Sequence, residues 1–286
     1  MSIQLPSYVN DLSETVARAL AEDIRTGDVT ARLVPVDEIG NARVISREAA
    51  VICGRPWVDE VFRQIDPRTR VEWLVEEGEL VAPDQKIFTL HGPARSLLSG
   101  ERPALNFLQT ASGTATAVKQ YVDAVAGTST RIADTRKTLP GLRNLQKYAV
   151  LCGGGINHRI GLYDGILIKE NHITAAGGIH QAIANARALN AGVPLMTEAE
   201  TLAEAREALA ANVDLLLVDE FPMPELREAV ALTRAHRANG GKTVIEYSGS
   251  TTLANVRGYA EAGVDRISIG SITKHLRAVD LSMRFT

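Results

Sequence analysis

Between residues 127 and 270, six short apolar runs alternate with helical patterns, and no other feature restricts the possible folds so strongly. The runs are 130–134, 165–169, 193–198, 213–219, 242–247 and 264–269. Between them, 199–211 places Leu202, Ala205, Ala208 and Leu209 on one helical face. Residues 224–236 do the same with Leu226, Ala229, Val230 and Thr233, and 253–262 with Val256, Tyr259 and Ala260. A strand that is apolar along its whole length is buried on both faces, which is the habit of parallel sheets covered by helices. Six such units without a change of pattern predict a (β/α) barrel, complete or incomplete, over 113–270.

The chain before this region follows different rules. Residues 11–24 have helical spacing in Leu12, Val16, Ala19, Leu20 and Ile24, and Gly27-Asp28 ends it. Residues 41–54, 71–75 and 86–90 suit strands, and 57–65 suits a short helix stopped by Asp66-Pro67. Strands with few helices between them predict a small α+β sandwich over 1–112. A helix is expected over 102–126, started at Arg102-Pro103, with Gly113 as its soft point. The last run, 279–285, alternates like a strand.

In a barrel of parallel strands, functional groups gather at the C-terminal strand ends. Every predicted end here is polar: Asp134, Arg136 and Lys137; Lys169 and Asn171; Glu198 and Glu200; Asp219 and Glu220; Glu246, Ser248 and Gly249; Gly270 and Ser271. The whole chain is slightly acidic, with 31 Lys and Arg against 34 Asp and Glu. From Asp134 to His172 the sign reverses: Arg136, Lys137, Arg143, Lys147, Arg159 and Lys169 oppose Asp134, Asp164 and Glu170. These cations sit beside glycines, as in Gly153-Gly154-Gly155, where backbone can approach a ligand closely. Fixed cations near such a backbone predict a pocket for a small, multiply charged anion. Cations from the first two ends and carboxylates from the third and fourth suggest a phosphorylated sugar whose pyrophosphate carries Mg2+, with Glu198 and Asp219 the candidates to hold the ion or the ribose hydroxyls. Glu200 opens a helix, where a carboxylate is favoured in any case. The turns Ser248-Gly249 and Gly270-Ser271 each precede a helix, a place suited to a terminal phosphate.

The run DTRKT-PGLR-L-KYAV-GGG-NHR-GL-D-LIK-NHI, from Asp134 onward, resembles the quinolinate phosphoribosyltransferase signature. The block ERPALNFLQTASG, from Glu101, resembles the same family. The resemblance implies a barrel joined to an N-terminal sandwich to which the tail 271–286 returns. It implies transfer of phosphoribose from phosphoribosyl pyrophosphate to quinolinate, with loss of CO2 and pyrophosphate, in de novo NAD biosynthesis. Arg136, His158, Arg159 and Lys169 match residues that grip the pyridine dicarboxylate, and Arg102 matches an arginine supplied by the second subunit of a homodimer. Lys137, Glu198 and Asp219 match residues for phosphoribosyl pyrophosphate and its metal. Ser248, Gly249 and Gly270 match the 5′-phosphate end. Lys137, Lys169, Glu198 and Asp219 are therefore the expected catalytic residues. The family's usual Leu-Asp-Asn, Ser-Gly-Gly and Thr-His appear here as Val218-Asp219-Glu220, Ser248-Gly249-Ser250 and Thr273-Lys274.

Three other readings compete. A paralogous barrel phosphoribosyltransferase with another acceptor would lack the dicarboxylate set, which is complete here. A Schiff-base lyase would use Lys169 as a nucleophile. A non-catalytic phosphosugar-binding protein would not need Glu198 and Asp219. Gly153-Gly154-Gly155 is not a dinucleotide fingerprint, because its spacing is wrong. His91, His180 and His236 receive no role. The weak net charge predicts neither nucleic acid nor membrane as a partner, and no apolar run approaches the ~18 residues of a spanning helix. The first fourteen residues show no signal-peptide pattern and two cysteines make no disulfide scaffold, so a cytoplasmic location is expected. Cys152 reads as a small buried thiol.

Overall fold

In a computed structural model, which describes residues 3–286, the chain divides into two compact units. The first two residues of the predicted N-terminal domain lie outside the described residues. The first unit runs to Lys119 and also takes in Lys137–Gly154 and Ser271–Thr286. The second comprises Gln120–Arg136 and Gly155–Gly270.

In the first unit, α1 (Leu12–Asp23) precedes β1 (Ile39–Ser46) and the short β2 (Ala50–Val51). Then come α2 (Arg55–Ile65), β3 (Arg70–Trp73), β4 (Leu80–Val81), β5 (Lys86–Pro93) and α3 (Ala94–Ala124). β1 alternates exposed and buried residues, the period of a strand with one face on a core. Strand β12 (Leu281–Phe285), at the chain's end, pairs antiparallel with β1, giving the sheet order β12-β1-β5-β3. Trp57, Phe62, Phe88, Leu97, Leu105, Leu108, Leu145 and Tyr148 are central to the core beneath it. Trp57 and Tyr148 pack with ring centroids 5.7 Å apart.

Helix α3 begins eight residues before the expected start, so Pro103 lies inside it. A proline there removes an intrahelical bond and disfavours the helix locally. Burial overrides this: Ala94, Leu97 and Gly100 in the first turns are covered by the core. A Cβ on Gly100 would lie 2.5 Å from the Phe62 ring, so a glycine is what lets α2 come so near. Gly113 is likewise no soft point. A Cβ there would lie 2.3 Å from the carbonyl oxygen of Arg277, so the returning tail crosses α3 at that glycine.

The second unit holds β6 (Arg131–Ala133), β7 (Ile166–Ile168), β8 (Leu195–Ala199), β9 (Leu215–Asp219), β10 (Val244–Ser248) and β11 (Arg266–Ser268). They form one parallel sheet in the order β6-β11-β10-β9-β8-β7, with the last strand beside the first. All six match the predicted runs. The ring is open between β6 and β7, where Ile156 makes a single parallel bridge to Ala133. This is an incomplete (β/α) barrel. β8 is buried along its whole length, as expected of a strand covered on both faces.

The helices of this unit are α5 (Glu170–Ala176), α6 (Ile179–Ala188), α7 (Leu202–Ala210), α8 (Met223–Ala238) and α9 (Val256–Ala262). Helix α4 (Arg143–Cys152) and the four-residue α10 (Ser271–Lys274) belong to the first unit. Thr201 caps α7: its hydroxyl accepts from Glu204 N–H at 3.2 Å, and the Glu204 carboxylate accepts from Thr201 N–H. That cap starts the helix two residues after β8 and so positions the chain around Glu198 and Glu200.

Candidate active site

Because the six strands are parallel, their C-terminal ends share one rim. Arg136 follows β6, Lys169 follows β7, Glu198 lies in β8, Asp219 and Ser248 close β9 and β10, and Gly270 follows β11. Asp219 is opposite Ser248 in the register, so the carboxylate strand and the phosphate-loop strand end side by side.

Asp134 organises the cationic edge. It is fully buried. Its Oδ2 accepts from Asn157 Nδ2 at 2.7 Å and its Oδ1 accepts from His158 N–H at 2.8 Å. Asp164 accepts from Ile160 N–H at 2.7 Å and Gly161 N–H at 2.9 Å, and holds the other end of this loop. Two buried or half-buried carboxylates thus fix the loop that carries His158 and Arg159. Nη1 of Arg159 donates to Gly165 O at 3.0 Å. Burial depresses the guanidinium's proton affinity, and the positive charge of Arg136 depresses it further, with Asp164 opposing both. Two guanidinium groups held within each other's field are a receptor for an anion.

Nδ1 of His158 accepts from Arg159 N–H at 2.8 Å, so a neutral ring carries its proton on Nε2. Nε2 faces Glu246 Oε1 at 3.7 Å. Glu246 was expected at a strand end, but it lies inside β10 and is fully buried. Strand alternation decides this: two residues before the end of β10, it points to the same face as Ser248, one step deeper in the sheet.

Lys169 Nζ and Glu198 form a close ion pair, which joins the cationic edge to the acidic one. The lysine side chain remains 48% exposed, so its ammonium can still meet a ligand. Burial raises the Glu200 carboxyl, and the negative charges of Glu170, Glu204, Glu198 and Asp219 raise it further. Such a field of carboxylates favours a cation. Among the described residues, the one group of three Cys, His or carboxylate ligand atoms that converges is Cys53, Glu77 and Cys152, in the first unit. Glu198 and Asp219 each offer carboxylate oxygens, the donor type that a hard cation takes.

At the phosphate end, Gly249 has φ 159°. A Cβ there would lie 2.8 Å from both the Glu220 carboxylate and the Tyr247 hydroxyl. Glu220 has φ 52°, and its backbone N–H donates to Ser248 O at 2.8 Å. Its Oε1 accepts from Ser250 Oγ at 2.8 Å, so two of the residues departing from the family pattern hold each other. Thr251, in the same turn, is buried with no partner for its hydroxyl. Only its place after Ser248-Gly249 marks it in the sequence.

Arg102, Lys137 and Ser271 stand in the first unit. Arg102 is exposed on α3 beside Glu101, and Lys137 is exposed while its carbonyl accepts from Thr273 Oγ1 at 2.7 Å. Ser271 opens α10 with its hydroxyl buried and unpartnered. Lys147, counted among the cations of the pocket, is fully buried in α4. Gly153 also has a packing role: a Cβ there would lie 2.5 Å from Ala115 O, so this glycine lets α4 end against α3. Cys152 is buried, with Sγ 3.9 Å from Glu77 Oε1.

The family model described as "Quinolinate phosphoribosyl transferase, C-terminal domain" matches residues 114–284, and the corresponding N-terminal model matches residues 28–112. The chain is 42% identical over 267 residues to the probable nicotinate-nucleotide pyrophosphorylase [carboxylating] of Synechocystis, covering 93% of this chain and 89% of that one. It is 40% identical over 276 residues to the nicotinate-nucleotide pyrophosphorylase [carboxylating] of Mycobacterium leprae, covering 94% and 95%. The solved nicotinate-nucleotide pyrophosphorylase from Francisella tularensis superimposes with TM-score 0.91 at 40% identity, over all of both chains.

Proposed function

The chain belongs to the quinolinate phosphoribosyltransferase family, and from that premise we propose how its residues divide the work. The enzyme joins quinolinate to phosphoribosyl pyrophosphate and releases CO2 and pyrophosphate, forming nicotinate mononucleotide for NAD biosynthesis. The pyridine nitrogen attacks the anomeric carbon of the ribose. The carbon–oxygen bond to pyrophosphate breaks and its electron pair leaves with the pyrophosphate. The ring nitrogen, now cationic, accepts the electron pair freed when the adjacent carboxylate departs as CO2. That ring carbon then takes a proton.

The single observation that carries the residue assignment is the placing of Arg136 and Arg159 within each other's field, where Asp164 does not fully offset their repulsion. Guanidinium forks match carboxylates, and Lys169 sits on the adjoining strand end. Arg136, Arg159 and Lys169 bind the dicarboxylate, His158 supports them, and Arg102 joins from a neighbouring subunit. Lys137 neutralises the departing pyrophosphate. Glu198 and Asp219 hold the ribose hydroxyls and the Mg2+ of the pyrophosphate. The ion, when bound, supplies positive charge to the leaving group. Ser248, Gly249, Gly270 and Ser271 hold the 5′-phosphate. Lys169 acts as a charge rather than a nucleophile, which its ion pair with Glu198 favours. A homodimer and a cytoplasmic location belong to the same proposal. Among the described residues no helix is long and apolar enough to cross a membrane.

The test is to supply quinolinate labelled in its 2-carboxylate, phosphoribosyl pyrophosphate and Mg2+. Release of labelled CO2 is expected, dependent on all three. With no release, the assignment fails.

A further inference from the structure

Glu246 has no place in the reaction just described, yet its position is unusual. Its side chain is fully buried, and no hydrogen bond of ordinary length and angle reaches either carboxylate oxygen, with only the Ser268 hydroxyl near enough to pull on it. Leaving a carboxylate in that state is costly unless something offsets it. What faces it can be named element by element. From β11 come Ser268 and the charge of Arg266. From the end of β6 comes Asp134, and from the loop that follows comes His158, with Nε2 3.7 Å from Glu246 Oε1. From β9 the register partner is Leu217, which is apolar.

His158 cannot fully neutralise this carboxylate by becoming doubly protonated. Its Nδ1 already accepts from the N–H of Arg159, so a second ring proton would face a donor. The neutral ring can offer only Nε2–H. Glu246 is thus one histidine away from Arg159, beneath the place assigned to the dicarboxylate.

We propose that Glu246 is a positioning residue that must hold a proton for the dicarboxylate to bind, so that quinolinate binding takes up a proton at this buried carboxyl. The inference rests on the assignment of Arg136, His158 and Arg159 to the quinolinate site. A dianion entering this partly buried region adds negative charge next to Glu246 and Asp134, and so favours the neutral form of whichever carboxyl lacks donors. Asp134 accepts two close hydrogen bonds from N–H groups, which favour its charge; Glu246 has only the pull of the Ser268 hydroxyl and of Arg266. The proton therefore goes to Glu246. Burial, with the charge of Asp134, already pushes its carboxyl up to about 7 against the pull of Ser268 and Arg266. The sign follows by linkage. The form that binds is the protonated one, so affinity is full below that value and falls as pH rises through it. The KM for quinolinate should rise above neutrality, by about tenfold per pH unit at the limit, while the KM for phosphoribosyl pyrophosphate does not follow it.

The experiment measures binding of phthalate, which has the two carboxylates but no ring nitrogen to alkylate, by calorimetry in two buffers of different ionisation enthalpy at pH 7–8. Wild-type protein should take up a fraction of a proton. Glu246→Gln, a permanently neutral mimic of the protonated acid, should bind without uptake, and its KM for quinolinate should be flat with pH. Uptake undiminished in Glu246→Gln, or none in the wild type, overturns the proposal. If Glu246→Gln does not fold, Glu246→Met, an uncharged side chain of similar length, replaces it with the same two outcomes. If quinolinate, phthalate's natural counterpart, competes with nothing and neither dicarboxylate binds at any pH, the quinolinate site itself is misassigned.

Discussion

Gly249 shows how little freedom a single residue has at this site. Its backbone is in a region that L side chains rarely adopt, and a Cβ would fall 2.8 Å from both the Glu220 carboxylate and the Tyr247 hydroxyl. Gly249→Ala should therefore shift the turn that holds the 5′-phosphate. A rise in the KM for phosphoribosyl pyrophosphate of about tenfold or more is expected, with that for quinolinate little changed. Steady-state kinetics with each substrate varied separately will show it, and an unchanged KM for phosphoribosyl pyrophosphate would remove Gly249 from the phosphate site. Residue identity made this position legible as a loop glycine. It did not make legible the pair Glu220 and Ser250, because a hydrogen bond across 30 residues has no local signature. Glu246 was visible only as one more acid in a strand. Its lack of a partner follows from what β11 and the His158 loop place around it.

Among the elements, α3 departs furthest from its expected bounds. Local propensity puts a start at Pro103, but the helix runs from Ala94 because its first turns bury Ala94 and Leu97 and bring Gly100 against Phe62. Further along, Ser112 Oγ accepts from Cys53 N–H at 2.9 Å, Thr116 Oγ1 accepts from Val51 N–H at 2.9 Å, and Gly113 faces the carbonyl of Arg277. Gly113→Ala should force the tail off α3, because the clashing atom is backbone and cannot rotate away. A loss of about 1–3 kcal/mol is expected in denaturant unfolding, greater than the small gain from alanine's helix propensity. A variant as stable as the parent would show that the tail does not depend on this crossing. The six barrel strands, by contrast, were readable because continuous apolar runs of that length have few other uses.

For the whole molecule, the proposed homodimer has Arg102 of one subunit complete the site of the other. Arg102 lies exposed on α3, and among the described residues its one carboxylate partner is Glu101 at 3.9 Å. If a homodimer shares Arg102 across its interface, Arg102→Ala and Lys137→Ala should each be inactive alone. Mixing them in equal amounts under subunit exchange should restore about one quarter of the wild-type sites, since half the dimers are mixed and each has one intact site. Recovery of none, with mixed dimers shown to form, would mean that each chain completes its own site.

The order of residues alone determined that six strands would be parallel and buried, that acids and bases would end at their C-terminal edges, and that the run from Asp134 would resemble the family's signature. These follow from periodicity and from composition at fixed spacing, which need no partner elsewhere in the chain. Tertiary structure alone decided that Gly153 serves helix packing, that α3 begins before its proline, that Lys147 is buried, and that Glu246 stands beside His158 without a hydrogen bond. Each of those depends on atoms distant in sequence meeting within a few ångströms, where packing and desolvation outweigh local preference.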